Sequence, residues 1–290
     1  MFSPAKTSKQ ADIRDLAIPG CLPIINKKAL ELALKACLIF KSKINKNLIF
    51  DRKHYIYKDL PKGYQITQKR KPIGYDGQIK NNKNKIKIKK IQLEEDTANM
   101  KYKKLYTKID YKRSGDPLLE IVTEPQIKNS QQAKEIVKLL KKKLKKYDIS
   151  NCRANLGEIR TDVNISINYK NKSYKKVEIK NLNSCKKIIN SIEYEVKAQI
   201  KKIKKNKTKK KETKKWDERE KKTKKMRKKI STKYYKFIED KNFPKYSIEN
   251  KIIKKIKKKI DKIKVENKKY KKLINKKDLK ILKKKNILIT

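Results

Sequence analysis

Apolar residues recur at helical spacing through NKKALELALKACLIF (26–40), and Asn26 stands where an N-cap belongs. The pattern predicts a helix there, packed on a sheet. Ahead of it, AIPGCLPII (17–25) sets a Pro-Gly break between apolar flanks and predicts a turn. LIFDRKHYIYKDLPKGYQIT (48–67) mixes short β-prone runs with a Leu-Pro-Lys-Gly turn. KNKIKIKKIQLEED (83–96) alternates apolar and polar positions with period two, which predicts a strand running into three adjacent acids. PLLEIVTEP (117–125) predicts a further strand bounded by prolines. SQQAKEIVKLLKKKLKKY (130–147) predicts an amphipathic helix with Ser130 as its N-cap. Two strands are expected at EIRTDVNISINY (158–169) and YKKVEIKNL (174–182), then a long helix over 184–205. Near-continuous lysine from 205 to about 230 predicts a solvated, poorly ordered stretch, and an isoleucine stripe follows over 245–290. Adjacent strands favour antiparallel pairing. The expectation is an α+β fold, a mixed or antiparallel sheet with packed helices, followed by a lysine-rich helical tail.

Composition narrows the reading. A chain of 290 residues is long enough for a real core in one large domain or two moderate ones. Its net charge of +56 comes from 86 basic residues, of which only eight are arginine. Selection for phosphate recognition would favour arginine, whose planar fork binds phosphate bidentately. The lysine, isoleucine, asparagine and tyrosine load therefore reads as the drift of an AT-rich genome. A field this positive attracts RNA whatever produced it, with strong salt dependence. Four widely spaced cysteines, Cys21, Cys37, Cys152 and Cys185, form no CxxC pair, which argues against a disulfide scaffold or zinc knuckle. No apolar run reaches 18 residues, so no membrane insertion is expected. The first residues carry no apolar core of a secretory signal.

The chemistry is carried by acids. No glycine-rich phosphate loop occurs. The lone His54 reads as structural, and the lone Trp216 as packed on a helix rather than stacked on a base. Glu94, Glu95 and Asp96 end one strand, and Glu120 lies on another. In a strand Glu94 and Asp96 face one side and Glu95 the other. Converging carboxylates suit Mg²⁺, a hard cation that takes oxygen ligands. Pairing with neighbouring lysines explains the same cluster equally well. EIKNLNS (178–184) gathers Lys180, Asn181 and Asn183, a group able to hold a phosphoryl group or an amide substrate.

Read together, IPGCLPIINKKALELALKA, FDRKHYIYKDLPKGYQITQ, KIQLEED, DYKRSGDPLLEIVTEP, GEIRTDVNIS, VEIKNLNS with IEYEVKAQI, and ETKKWDEREKKTKKMRKK resemble the B-subunit family of the aspartyl/glutamyl-tRNA(Asn/Gln) amidotransferases, in family order across about 17–245. The FDRKHY and IQLEED wordings lean toward mitochondrial members, so a mitochondrial or other organellar location is implied, with bacterial cytoplasm as the alternative. The resemblance implies a cradle-shaped catalytic domain over 1–245 and the start of a helical tRNA-binding domain over 246–290. It implies an ATP- and Mg²⁺-dependent kinase and ligase acting on misacylated tRNA, partnered by an amidase A-subunit and a small C-subunit. By resemblance Glu94, Glu95 and Glu120 are metal ligands, and Arg113, Arg160, Asp162 and Asn164 line the site. Lys180, Asn181 and Asn183 lie near the ATP or ammonia path.

The sequence also departs from the family pattern. A strand carrying Gly-Leu-Glu-Val-His normally precedes the region where this sequence starts. Asn155 and Leu156 stand where glutamates are common, and a DYRYF-type motif reads KYYKF (233–237). Zinc-binding cysteines of some members have no counterpart, so no zinc is expected.

Overall fold

The structure, a computed structural model, describes residues 12–55, 58–80, 84–170, 172–205, 212–226, 235–243 and 245–273. Helix α1 (Lys27–Ile39) begins where the pattern placed it, with the Asn26 side chain accepting the Lys28 and Ala29 N–H groups. Its apolar face, with Ala33, Leu34 and Cys37, packs on an antiparallel sheet. That sheet is ordered Lys43–Ile44, Gly74–Lys80, Lys85–Glu95, Pro117–Thr123. The approach is close at Gly74, where a Cβ would meet the Cys37 sulfur at 2.5 Å. Ile79, Ile86, Ile88 and Ile91 fill the layer between helix and sheet.

Helix α2 (Ser130–Lys146) is capped one residue earlier than the pattern suggested. Asn129 accepts the Gln132 N–H at 2.8 Å, and Ser130 is the first helical residue. The Ser130 hydroxyl instead donates to Glu193 on helix α3 (Cys185–Lys204), which is itself capped by Ser184. A second sheet is ordered Thr161–Ile165, Val177–Leu182, Glu212–Asp217, Lys222–Lys225, with one parallel pair between its two middle strands. Ile188 and Ile192 of α3 cover Val177, Ile179 and Leu182 of this sheet in a separate core.

Two expectations are corrected here. The strand expected over 158–169 is interrupted: Thr161–Ile165 pairs within the second sheet, and Asn168–Tyr169 belongs to a small separate ribbon. The lysine-rich stretch is not solvated throughout, because residues 212–225 form a hairpin in the second sheet. Its alternate residues have an inner face: Lys214 is buried and Trp216 joins the second core, edge-on to Tyr194. Residues 206–211 and 227–234 lie outside the described residues.

Strands Asp51–His54 and Tyr64–Thr67 form an antiparallel pair joined by Lys236–Glu239, the described end of the KYYKF stretch; Lys233 and Tyr234 lie outside the described residues. Helix α4 (Asn250–Leu273) lays Ile256 and Ile260 of the isoleucine stripe into the same core as α1, and Lys259 reaches Glu31 of α1 at 2.7 Å. Residues 274–290 of the expected tail lie outside the described residues.

Candidate functional site

The strand Lys85–Glu95 decides where the acids point. Its burial alternates with Ile86 and Ile88 inward, then shifts phase at an irregularity between Ile88 and Lys90. Beyond it the odd positions Ile91, Leu93 and Glu95 are buried. A bulge of one residue exchanges the faces of everything after it. Lys90, Gln92 and Glu94 therefore share the other face, and Gln92 lies opposite Glu120 of the neighbouring strand.

On that face Glu94 and Glu120 come together. Thr67 Oγ1 donates to Glu94 Oε1 at 2.6 Å, and Gln92 Nε2 donates both to Thr67 Oγ1 at 3.2 Å and to Glu94. Lys90 Nζ stands 3.7 Å from Glu120 Oε2 and donates to Gln92. Burial, then the charge of Glu94, push the Glu120 carboxyl above its usual range against the pull of Lys90. Two carboxylates set against each other in this way form an oxygen-rich, cation-seeking pair. The donor chemistry, carboxylate oxygens from two strands, fits a hard divalent cation. Among the described residues no three His, Cys, Asp or Glu side chains gather as a metal cluster.

Glu95 is directed elsewhere. It is fully buried on the opposite face, where Lys62 Nζ donates to Oε2 and the Ile66 N–H to Oε1, each at 2.8 Å. Burial pushes its carboxyl up to about 7, with Lys62 pulling the other way. Strand alternation separates it from Glu94 and Glu120, so the expected trio is reduced to a pair.

Asp96 continues from the strand into a third environment. Its Oδ2 accepts Arg113 Nη2 and its Oδ1 accepts Arg160 Nη2, both at 2.6 Å. Arg113, from the 3₁₀ turn Tyr111–Arg113, also donates to the Gly157 carbonyl at 3.1 Å. Gly157 has φ of 68°, and a Cβ there would overlap Arg113 Nη1. Arg160 directly precedes the strand bearing Asp162 and Asn164. Asp162 Oδ1 accepts the Asn181 N–H at 2.9 Å, and Lys180 Nζ lies 3.8 Å from both Asp162 and Glu178. Asn164, opposite Glu178, and Asn183, just past the strand end, are exposed. The expected residues thus fall into a carboxylate pair, an arginine-bearing hub, and an Asp162–Lys180–Asn181 group on the second sheet.

Sequence reasoning counted Asp96 only among the converging acids and gave Thr67 and Gln92 no part. Asp96 had a signal, since it closes an acid run in a chain with few arginines. Thr67 and Gln92 had none, because their role depends on the pairing of strands distant in sequence. His54 sits within its strand beside the Tyr64 ring, 5.4 Å between centroids, and burial pushes its imidazole down.

The model of a family described as the GatB/GatE catalytic domain matches residues 2–254. Relatives named as the B-subunit of aspartyl/glutamyl-tRNA(Asn/Gln) amidotransferase include that of Mycoplasmopsis synoviae, 43% identical over 265 residues, or 87% of this chain and 56% of that protein. The protein of Mycoplasmopsis agalactiae is 40% identical over the same shares. That of Elusimicrobium minutum is 40% identical over 230 residues, 79% of this chain and 49% of its own. The chain spans about half the length of the curated relatives it matches. With the match extending from ahead of α1 into α4, and so across both sheets and the acid cluster, the chain belongs to the GatB/GatE catalytic domain family.

Proposed function

We propose that the chain acts as the kinase and ligase part of a tRNA-dependent amidotransferase, working with an amidase A-subunit and a small C-subunit. Its substrate is a misacylated tRNA, glutamyl-tRNA(Gln) or aspartyl-tRNA(Asn). A side-chain carboxylate oxygen attacks the γ-phosphorus of ATP, ADP departs, and an acyl phosphate results. Ammonia released from glutamine then attacks the carbonyl carbon, and inorganic phosphate leaves with the C–O bond electrons. Phosphorylation is needed because a free carboxylate has no adequate leaving group.

The observation that carries this reading is the Glu94–Glu120 pair, set on one sheet face two residues from a carboxylate holding two arginines. Glu94 and Glu120 would hold Mg²⁺, which supplies charge neutralisation to the phosphates it shares. Arg113 and Arg160 offer fixed positive charge to the phosphate oxygens of the bound nucleotide. Asp162 fixes the backbone of Asn181 and stands by Lys180, keeping the polar end of that strand in one conformation for the nucleotide or ammonia. Glu95 is assigned to the fold rather than to the metal. The boundary expected at 245/246 gives way here to one beyond α4, because Ile256 and Ile260 of that helix pack in the core of α1.

Glu120→Gln preserves shape and removes one of the paired charges. In the assembled complex ATP-dependent amidation should fall by at least about 100-fold, as expected for losing a charge ligand to a transferring phosphoryl group. Co-purification of the subunits should be unchanged. An unaltered amidation rate would overturn the assignment.

A further inference from the structure

Arginine is scarce in this chain, eight among 86 basic residues, yet two arginines end on one carboxylate. Arg14, Arg52 and Arg153 each pair with an acid of their own. Asp96 alone, among the described ion pairs, receives two guanidinium groups, one on each oxygen. The three groups sum to one positive charge. Asp96 is 5% exposed, while the Arg113 and Arg160 side chains keep 37% and 42% of their surface in solvent. Each guanidinium has five N–H donors, so both retain donors on their open sides.

The two arginines come from distant places. Arg113 closes a 3₁₀ turn following a hairpin, and Arg160 leads into the second sheet. Left alone, two guanidinium groups this near would repel and rotate apart. The carboxylate between them offsets that repulsion and fixes their orientation, and a planar fork so fixed matches phosphate oxygens.

We propose that Asp96 is a positioning residue that holds Arg113 and Arg160 as a paired receptor for the phosphate oxygens of a nucleoside triphosphate. The inference rests on the ATP-dependent reading of Glu94, two residues away, and of Glu120 on the neighbouring strand. Asp96 touches no substrate in this arrangement. It acts by setting where the two cations stand, and by tying the acid-bearing strand to the lead-in of the second sheet.

The test uses the full chain assembled with its amidotransferase partners. Asp96→Asn keeps one acceptor and turns an amide toward one arginine. It should raise KM for ATP about tenfold or more, the scale of a charge-assisted hydrogen bond, with kcat changed by less than about threefold. Asp96→Glu, which retains both acceptors, should recover most of the loss. Asp96→Asn combined with Arg160→Gln should cost less than the product of the two single losses, since both act on the same paired receptor. An unchanged KM, multiplying effects in the double variant, or parallel losses of kcat and melting temperature at constant KM would overturn the proposal. If the wild-type complex shows no ATP-dependent amidation, the functional reading falls by itself. Binding of mant-ATP then decides Asp96 separately: about tenfold weakening by Asp96→Asn supports it, and equal or absent binding overturns it.

Discussion

The hairpin at 212–225 is held to helix α3 by a buried charge, and removing that charge tests whether the lysine-rich segment is structural. Glu195 is fully buried on α3. Lys214 Nζ and Thr223 Oγ1 each donate to its Oε2 at 2.8 Å, and Gln199 Nε2 donates to Oε1 at 3.1 Å. The Lys214 side chain is 9% exposed. Glu195→Leu leaves an ammonium inside the protein. Breaking a buried pair from one side costs about 3–5 kcal/mol, whereas replacing both partners by apolar groups is often neutral. Glu212, 3.8 Å from Lys214 Nζ, offers a partial substitute, so the lower end, about 3 kcal/mol, is expected. Against a total stability on the order of 5–15 kcal/mol, that is a large fraction. Urea unfolding followed by far-UV circular dichroism should show the midpoint fall for Glu195→Leu. Glu195→Leu with Lys214→Met should recover most of it. A single-variant loss below about 1 kcal/mol, or a double variant as weak as the single one, would refute the reasoning and return the segment to the solvated state its composition suggests. The consequence reaches the site: Glu212–Asp217 runs parallel to Val177–Leu182, with Lys215 beside Lys180. A loosened hairpin withdraws the support of the strand carrying Lys180 and Asn181.

Two further outcomes follow from single positions. Burial raises Glu95 from 4.5 to about 7, so the folded chain binds more protons than the unfolded chain between those values. Its contribution is complete below pH 4.5 and lost as pH rises through about 7; wild type should therefore lose up to roughly 3 kcal/mol relative to Glu95→Gln between pH 4.5 and 8. Parallel stability curves for the two across that range would contradict it. Gly115 has φ of 77°, and a Cβ there would overlap the carboxyl group of the buried Asp15. Gly115→Ala should cost about 2–4 kcal/mol from left-handed strain plus overpacking, and a melting temperature equal to wild type would refute the close approach.

Where local pattern and tertiary environment agree, the fold was legible. Asn26 and the 26–40 periodicity placed α1 within a residue, and the helix expected over 184–205 is α3, Cys185–Lys204. Ser130 misled because both it and Asn129 are good caps, and a distant Glu193 took its hydroxyl. Lysine at 212–225 misled because composition cannot see Glu195, whose carboxylate converts one lysine from surface to core. The candidate site divides in the same way. Motif resemblance located Arg113, Arg160 and Glu120, but only strand pairing shows Gln92 opposite Glu120, or both arginines on Asp96.

The acid run itself turns on one such detail. Ile86 and Ile88 are even-numbered, and unbroken alternation would carry Glu94 into the core with them. The adjacent Lys89 and Lys90 are the visible trace of the phase shift, since two polar residues in succession cannot both continue an alternating face. After it Glu94 turns to Glu120, Glu95 to Lys62, and Asp96 to the two arginines. Three neighbouring carboxylates are tolerable because each meets a different environment. That division also separates their roles: the buried Glu95 cannot share an ion with Glu94 through the sheet, and Asp96 already has both oxygens occupied. Only Glu94 and Glu120 are left as like-charged neighbours on one face, and the divalent cation proposed there would relieve that pair without disturbing the other two acids.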